Sequence, residues 1–229
     1  AFNKAFSDFV SFIPYTNADT VKYAINKLTG QYKDDPKNLL KLANAAEKEL
    51  FGPEAQFWAD EQYMLFTRPV FNNKKISSKD KNKFFDHVKM LNGSQVGSTV
   101  SPLSYTTRYG AEHSLQDQKA EFFLLNFYGP DCSDCNITHL RMETDVALEN
   151  MVKSGMIKVI DIYVGEAGSD WKKAVESYPF EWEVGYSTTA PAIIDLRELP
   201  RMYLLDKEYK ILAKDLNINQ VLSMAAVLN

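Results

Sequence analysis

The only two cysteines of this 229-residue chain, Cys132 and Cys135, stand three apart where an apolar run gives way to a helical pattern. The stretch from Glu121 to Thr138 reads EFFLLNFYGPDCSDCNIT. Phe122 to Tyr128 has the character of a strand buried on both faces, Gly129-Pro130 breaks it, and the cysteines open the helix that follows. A helix start leaves backbone N–H groups unpaired and carries a partial positive charge. A thiol placed there ionises more easily, and the thiolate is the reactive form. A second thiol one turn on can attack a mixed disulfide formed by the first. Two cysteines make no structural disulfide framework, so the pair points to redox chemistry, with Cys132 as nucleophile and Cys135 as resolving thiol.

The motif FFLLNFYGPDCSDC resembles the active-site strand, turn and helix start of thioredoxin-like thiol-disulfide oxidoreductases. Asn126, six residues before the first cysteine, occupies the place of a buried Asp in thioredoxins proper. Leu125-Asn126-Phe127-Tyr128 is similar to the extracytoplasmic, cytochrome-maturation type. Two departures stand out: Asp131 replaces the usual Trp before the first cysteine, and Ser133-Asp134 replaces the usual dipeptide between the cysteines. The resemblance implies an α/β thioredoxin-like fold, a central mixed sheet flanked by helices, over residues 98–229. It also implies that Pro200 is cis and faces the cysteine pair. The backbone of Leu199 then turns toward the cysteines, where it can pair with an extended substrate, and the prolyl ring keeps a metal from bridging the thiols.

Residues 1–95 read as helices alone. Phe2, Phe6, Phe9, Val10 and Ile13 recur at helical spacing up to Pro14. Asp19 is the expected cap of a second helix ending at Gly30. Asp35-Pro36 is a cap followed by a first-turn proline. Further helices are expected over 54–66 and from Ser78 to Gly93. This all-α domain, ahead of a domain of the second kind, resembles uncharacterised N-terminal domains on secreted Gram-negative bacterial thioredoxin-like proteins. The Gly- and Ser-rich stretch Gly93 to Ser101 is the expected boundary.

Beyond it, Leu103 to Tyr109 reads as a strand and Gly110 to Ser114 as a turn. One helix is expected from Cys132 to Lys153, with Ile137, Leu140, Val146, Leu148 and Met151 facing inward. Met156 to Val164 is a second buried strand, and Asp170 to Tyr178 a short helix. The segment Tyr178 to Pro191 carries few helix signals and is expected to cover part of the active face. Strands Arg201 to Leu205 and Lys210 to Ala213 and a helix Ile218 to Leu228 close the chain.

The net charge of -4 gives no electrostatic case for nucleic acid, which needs clustered Lys and Arg. The longest apolar runs fall well short of the roughly 20 residues that span a bilayer. The chain begins at Ala1 rather than Met, which reads as a processed form with a removed leader or a lipid anchor at that end. The expected activity is thiol-disulfide exchange with protein substrates bearing thiols or disulfides, outside the cytoplasm. It would act as a reductant supplied by a reductase partner, without cofactor or metal. Asp131 and Asp134 flank Cys132 and oppose its thiolate, which destabilises the reduced form and favours the reducing role. Asn126 cannot relay a proton as a carboxylate does, which leaves Glu121, Glu143, Asp161 or water for that task. Two other readings stay open: a non-catalytic binding module on the same scaffold, and a metallochaperone using Cys132, Cys135 and His139.

Overall fold

A computed structural model describes residues 2–228 and divides the chain into two compact units, residues 1–89 and 90–229. Ala1, on which the expectation of a removed leader turns, lies outside the described residues.

The first unit is built from α1 (Phe2–Ser11), α2 (Ala18–Gln31), α3 (Pro36–Leu50), α4 (Asp60–Asn72) and most of α5 (Ser78–Gly93). The Asp35-Pro36 signal works as its chemistry requires. The Asn38 N–H donates to Asp35 Oδ1 at 3.1 Å, and Pro36, which lacks an N–H, sits in the first turn. Asn17, not Asp19, caps α2, accepting from the Asp19 N–H at 2.9 Å. The helix expected over 54–66 begins only at Asp60, because the chain after α3 is held in turns. Ala59 N–H returns to Leu50 O at 3.0 Å and Trp58 Nε1 donates to Gly52 O at 3.2 Å. The interior holds Phe6, Ile25, Leu39, Leu42, Leu50, Tyr63, Phe66 and Phe84, with the Phe6 and Phe66 rings 5.3 Å apart. Each fully buried large apolar side chain contributes about 1.5–3 kcal/mol.

The second unit carries a mixed seven-stranded sheet in the order β2-β1-β5-β4-β3-β6-β7. Its strands are β1 (Ser104–Thr107), β2 (Glu112–Ser114), β3 (Phe122–Tyr128), β4 (Ile157–Val164), β5 (Glu183–Ser187), β6 (Arg201–Asp206) and β7 (Ile211–Lys214). Strands β3, β4 and β5 run parallel, and the remaining pairs are antiparallel. The single helix expected from Cys132 to Lys153 is two, α6 (Ser133–Thr144) and α7 (Val146–Lys153). The break falls at Asp145, which leaves helical geometry and accepts from the Leu148 N–H at 2.8 Å to start α7. α8 (Ser169–Ala174) and α9 (Ile218–Leu228) complete the unit.

β2 occupies part of the segment read as a turn and pairs antiparallel with β1, whereas β5, inside Tyr178 to Pro191, was not expected as a strand. β5 is short and interrupted by Gly185, so it lacks the apolar run that marks β3 and β4. That glycine has a reason: a Cβ there would lie 2.6 Å from Thr106 O and 2.8 Å from the Tyr105 ring. Backbone cannot yield as a flexible side chain does. Gly185→Ala is expected to cost about 1–3 kcal/mol, read as a lowered urea midpoint with an unchanged slope.

Alternation along β3 divides the core. Phe123, Leu125 and Phe127 join one cluster with Ile160, Ile162, Tyr203 and Leu205. Leu124 and Tyr128 join the other with Cys135, Met142, Leu148, Met151 and Trp171. Asn126 shares the face of Leu124 and Tyr128. It stands opposite Asp161 of β4 in the parallel register, which puts both polar groups beneath α6. The Arg108 guanidinium fixes the loop after α8, donating to the carbonyls of Val175, Tyr178, Pro179 and Trp182 at 2.8–3.0 Å.

Candidate active site

The site forms where β3 hands over to α6. Asp131, at φ 53°, takes the left-handed turn that a short polar side chain tolerates. Cys132 is the N-cap of α6 and is linked by a disulfide to Cys135, with the Cα atoms 5.2 Å apart. The two sulfurs sit in different surroundings: Cys132 is half-buried and Cys135 is 1% exposed. The Cys135 N–H donates to Cys132 Sγ at 3.2 Å, so the sulfur fills the place of a capping oxygen. On reduction, a thiolate there keeps that hydrogen bond and lies at the positive end of the α6 dipole. Asp131 and Asp134 are both exposed beside it.

Leu199 and Pro200 come to the same place. Their peptide bond is cis, and Leu199 O lies 3.7 Å from Cys132 Sγ. In the disulfide state neither atom carries a hydrogen, so this is a contact rather than a hydrogen bond. A salt-bridge network ties both limbs of the proline turn. Asp195, 2% exposed, accepts from Arg197 Nε and Nη2 at 2.9 Å each on one limb, and from Arg201 Nη2 at 3.2 Å on the other. Burial alone would raise the Asp195 pKa, but the two guanidinium groups outweigh it and hold the carboxyl below its usual range. Beside Pro200 a groove of about 310 Å³ runs between α6 and the strand β6, bordered by Asp134, Thr138, Glu198, Met202 and Asp215.

Beneath the disulfide lies a cluster that the sequence indicated only in part. Asn126 and Asp161 are fully buried and His139 is 4% exposed. His139 Nε2 lies 2.9 Å from both Asp161 oxygens, and Asn126 Nδ2 donates to Asp161 Oδ1 at 2.7 Å. Asn126 Oδ1 has no partner. The His139 ring meets the edge of Tyr128 at 4.4 Å and lies 4.9 Å from Tyr178. Trp171 Nε1 donates to the Tyr128 hydroxyl at 2.8 Å. Burial pulls the His139 pKa down, but the Asp161 carboxylate and its hydrogen bond prevail and raise it. Tyr128 and Tyr178 are both pushed up by burial, Tyr178 to about 12.

Of the groups named to stand in for Asn126, Asp161 alone lies in this cluster as a buried carboxylate, whereas Glu121 and Glu143 are exposed. His139 had been grouped with the cysteines as a metal ligand, but its Nε2 is engaged by Asp161. Among the described residues no three His, Cys, Asp or Glu side chains gather as a metal requires. Two sequence signals pointed to this cluster: an Asp inside the apolar run of β4, and a His one helical turn past Cys135.

No protein-family model matches the chain, and no curated protein matches it. Solved structures do. A thioredoxin-like protein from Bacteroides caccae is 23% identical, aligns over 100% of this chain and 84% of its own, and gives a TM-score of 0.67. The C-terminal domain of an uncharacterized Bacteroides fragilis protein is 28% identical over 58% of this chain and 98% of its own, with a TM-score of 0.54. A thiol:disulfide interchange protein from a Bacteroides species is 20% identical over 59% and 90%, with a TM-score of 0.50. The chain therefore has a thioredoxin-like fold, a mixed sheet flanked by helices, with the helices α1 to α5 ahead of the sheet.

Proposed function

We propose that this protein is a thiol-disulfide oxidoreductase that reduces disulfides of protein substrates outside the cytoplasm. The observation that carries this reading is the Cys132–Cys135 pair, capping α6 and set 3.7 Å from the carbonyl of the cis peptide. In the reduced protein the Cys132 thiolate attacks a substrate disulfide. A mixed disulfide forms and the first substrate sulfur leaves with the electron pair. Cys135 then loses its proton and attacks Cys132 Sγ, and the second substrate sulfur leaves. The protein ends oxidised and the substrate reduced by two electrons. A reductase partner regenerates the dithiol. Leu199 and Pro200 hold an extended substrate segment against Cys132 by backbone pairing.

Two features support the reducing direction and the location. Asp131 and Asp134 place carboxylates beside Cys132, which opposes its thiolate and leaves the reduced form less stabilised than in a strong oxidant. The Leu125-Asn126-Phe127-Tyr128 strand is similar to the extracytoplasmic type. No described helix is long and apolar enough to cross a membrane. Asn126 supports the site from below as a neutral amide.

The test is a redox titration of the cysteine pair read by thiol alkylation. A single two-electron midpoint near the thioredoxin value of about -270 mV is expected. A midpoint near about -120 mV would reverse the direction and remove the carboxylate argument. Cysteines that form no reversible disulfide would overturn the oxidoreductase reading altogether.

A further inference from the structure

We infer that the buried Asp161–His139 pair holds the proton that Cys135 must lose and regain, with His139 carrying it and Asp161 positioning and charging the imidazole. This rests on the oxidoreductase reading and assigns it a proton pathway.

The placement carries the inference. Cys135 and His139 are four apart on α6, so they stand one turn apart on the same buried face, with Cβ atoms about 5–6 Å from each other. Cys135 is 1% exposed and His139 4%, so bulk water has little access to either. A buried thiolate without a partner is costly, and so is a buried ion pair, which apolar residues often replace without loss of stability. The core keeps this pair at the face of α6 that also buries Cys135. Asn126 reinforces it by aiming its Nδ2 at Asp161 and leaving its own Oδ1 without a partner.

The step balances. When a donor thiolate opens the disulfide at Cys132, the electron pair of the S–S bond passes to Cys135 Sγ. That sulfur takes the proton of the His139 imidazolium and becomes a neutral thiol. The negative charge then rests on Asp161, where His139 and Asn126 both hold it, instead of on an unsupported sulfur. In the other direction neutral His139 accepts the Cys135 proton as that sulfur attacks Cys132.

Other titratable groups surround this pair. Facing it are Glu143 and Cys135 on α6, Tyr128 on β3, Tyr163 on β4 and Tyr178 after α8. Tyr178 is pushed up to about 12 and Tyr128 higher still, so neither titrates near neutrality. Glu143 is raised by burial and by Asp161, against the pull of His139.

The experiment mixes the reduced full-length chain with dithiobis-nitrobenzoate across pH 5 to 10 in stopped flow. Attack by Cys132 releases one coloured thiolate, and resolution by Cys135 releases the second. His139→Gln is expected to slow the second phase by about 100-fold and remove its inflection, leaving the first within about twofold. Asp161→Asn is expected to move that inflection to lower pH, because burial then opposes only the weaker pull of Glu143 on the imidazole. The double change Asn126→Asp with Asp161→Asn keeps one carboxylate in the cluster, and should restore the inflection if a single variant fails to fold. A second phase with the wild-type pH profile in folded H139Q, or in D161N should H139Q not fold, overturns the inference. Wild-type protein that never releases the second thiolate would instead sink the oxidoreductase reading.

Discussion

Cys132→Ser is expected to abolish reduction of a protein disulfide, whereas Cys135→Ser should stop the reaction half-way with substrate covalently attached. The difference follows from position. Cys132 is the half-buried sulfur at the α6 N-cap, the one that a substrate disulfide can reach. A serine hydroxyl stays protonated there and offers no competent nucleophile, so turnover falls to the uncatalysed rate. Loss of the fold would not account for this, because serine is among the best N-cap residues and accepts the Cys135 N–H as the sulfur does. Cys135 is 1% exposed and acts only after the mixed disulfide exists. With serine at 135 the first attack proceeds and the adduct persists. A non-reducing gel should show a band at the summed masses that collapses with added dithiol. Equal loss of activity in both variants without an adduct would contradict these roles.

Asp195→Ala should give the largest loss of stability among single changes near the site, about 3 kcal/mol. The carboxylate is 2% exposed and accepts from both Arg197 and Arg201, which flank the cis peptide. Its removal takes one ion-pair contact from each of two largely buried guanidinium groups. Arg201 retains Asp215, which keeps the cost at the lower end of the range for broken buried pairs. Because the folded pKa of Asp195 is lowered, its contribution is present above the ordinary carboxylate value and fades as pH falls through the lowered one. Urea melts of wild type and variant should therefore differ most at neutral pH and converge in strong acid. The same change should loosen the Leu199–Pro200 turn against Cys132 and slow mixed-disulfide formation. An unchanged melt at pH 7 would show that the network contributes nothing to holding the turn.

How much of this was legible in the chain depends on how local the physics was. Asp35-Pro36 marks a helix start because cap and proline act within one turn. The run Phe122 to Tyr128 marks a strand buried on both faces because every residue but one is apolar. Local patterning failed where neighbours decide. Ile137, Leu140 and Val146 were expected to face inward, yet they are 55%, 61% and 66% exposed. The buried face of α6 is Cys135, Thr138, His139 and Met142, a mixed set that an apolar count passes over. Asp145 splits the expected helix because its side chain caps the second half more effectively than it extends the first.

Alone, the sequence determined the position of the disulfide pair, the strand before it and the proline turn near the end. Each is set by short-range constraints: apolar run, Gly-Pro break, helix start, and a proline opening a strand. Only the tertiary structure decided that Asp161 and His139 meet beneath Cys135, that Asp195 fastens both limbs of the proline turn, and that β5 joins the sheet. These depend on the parallel register of β3 with β4 and on which face α6 turns to it. Register and face are settled by burial across the whole sheet, since a one-residue slip would send Asn126 and Asp161 into the apolar layer opposite.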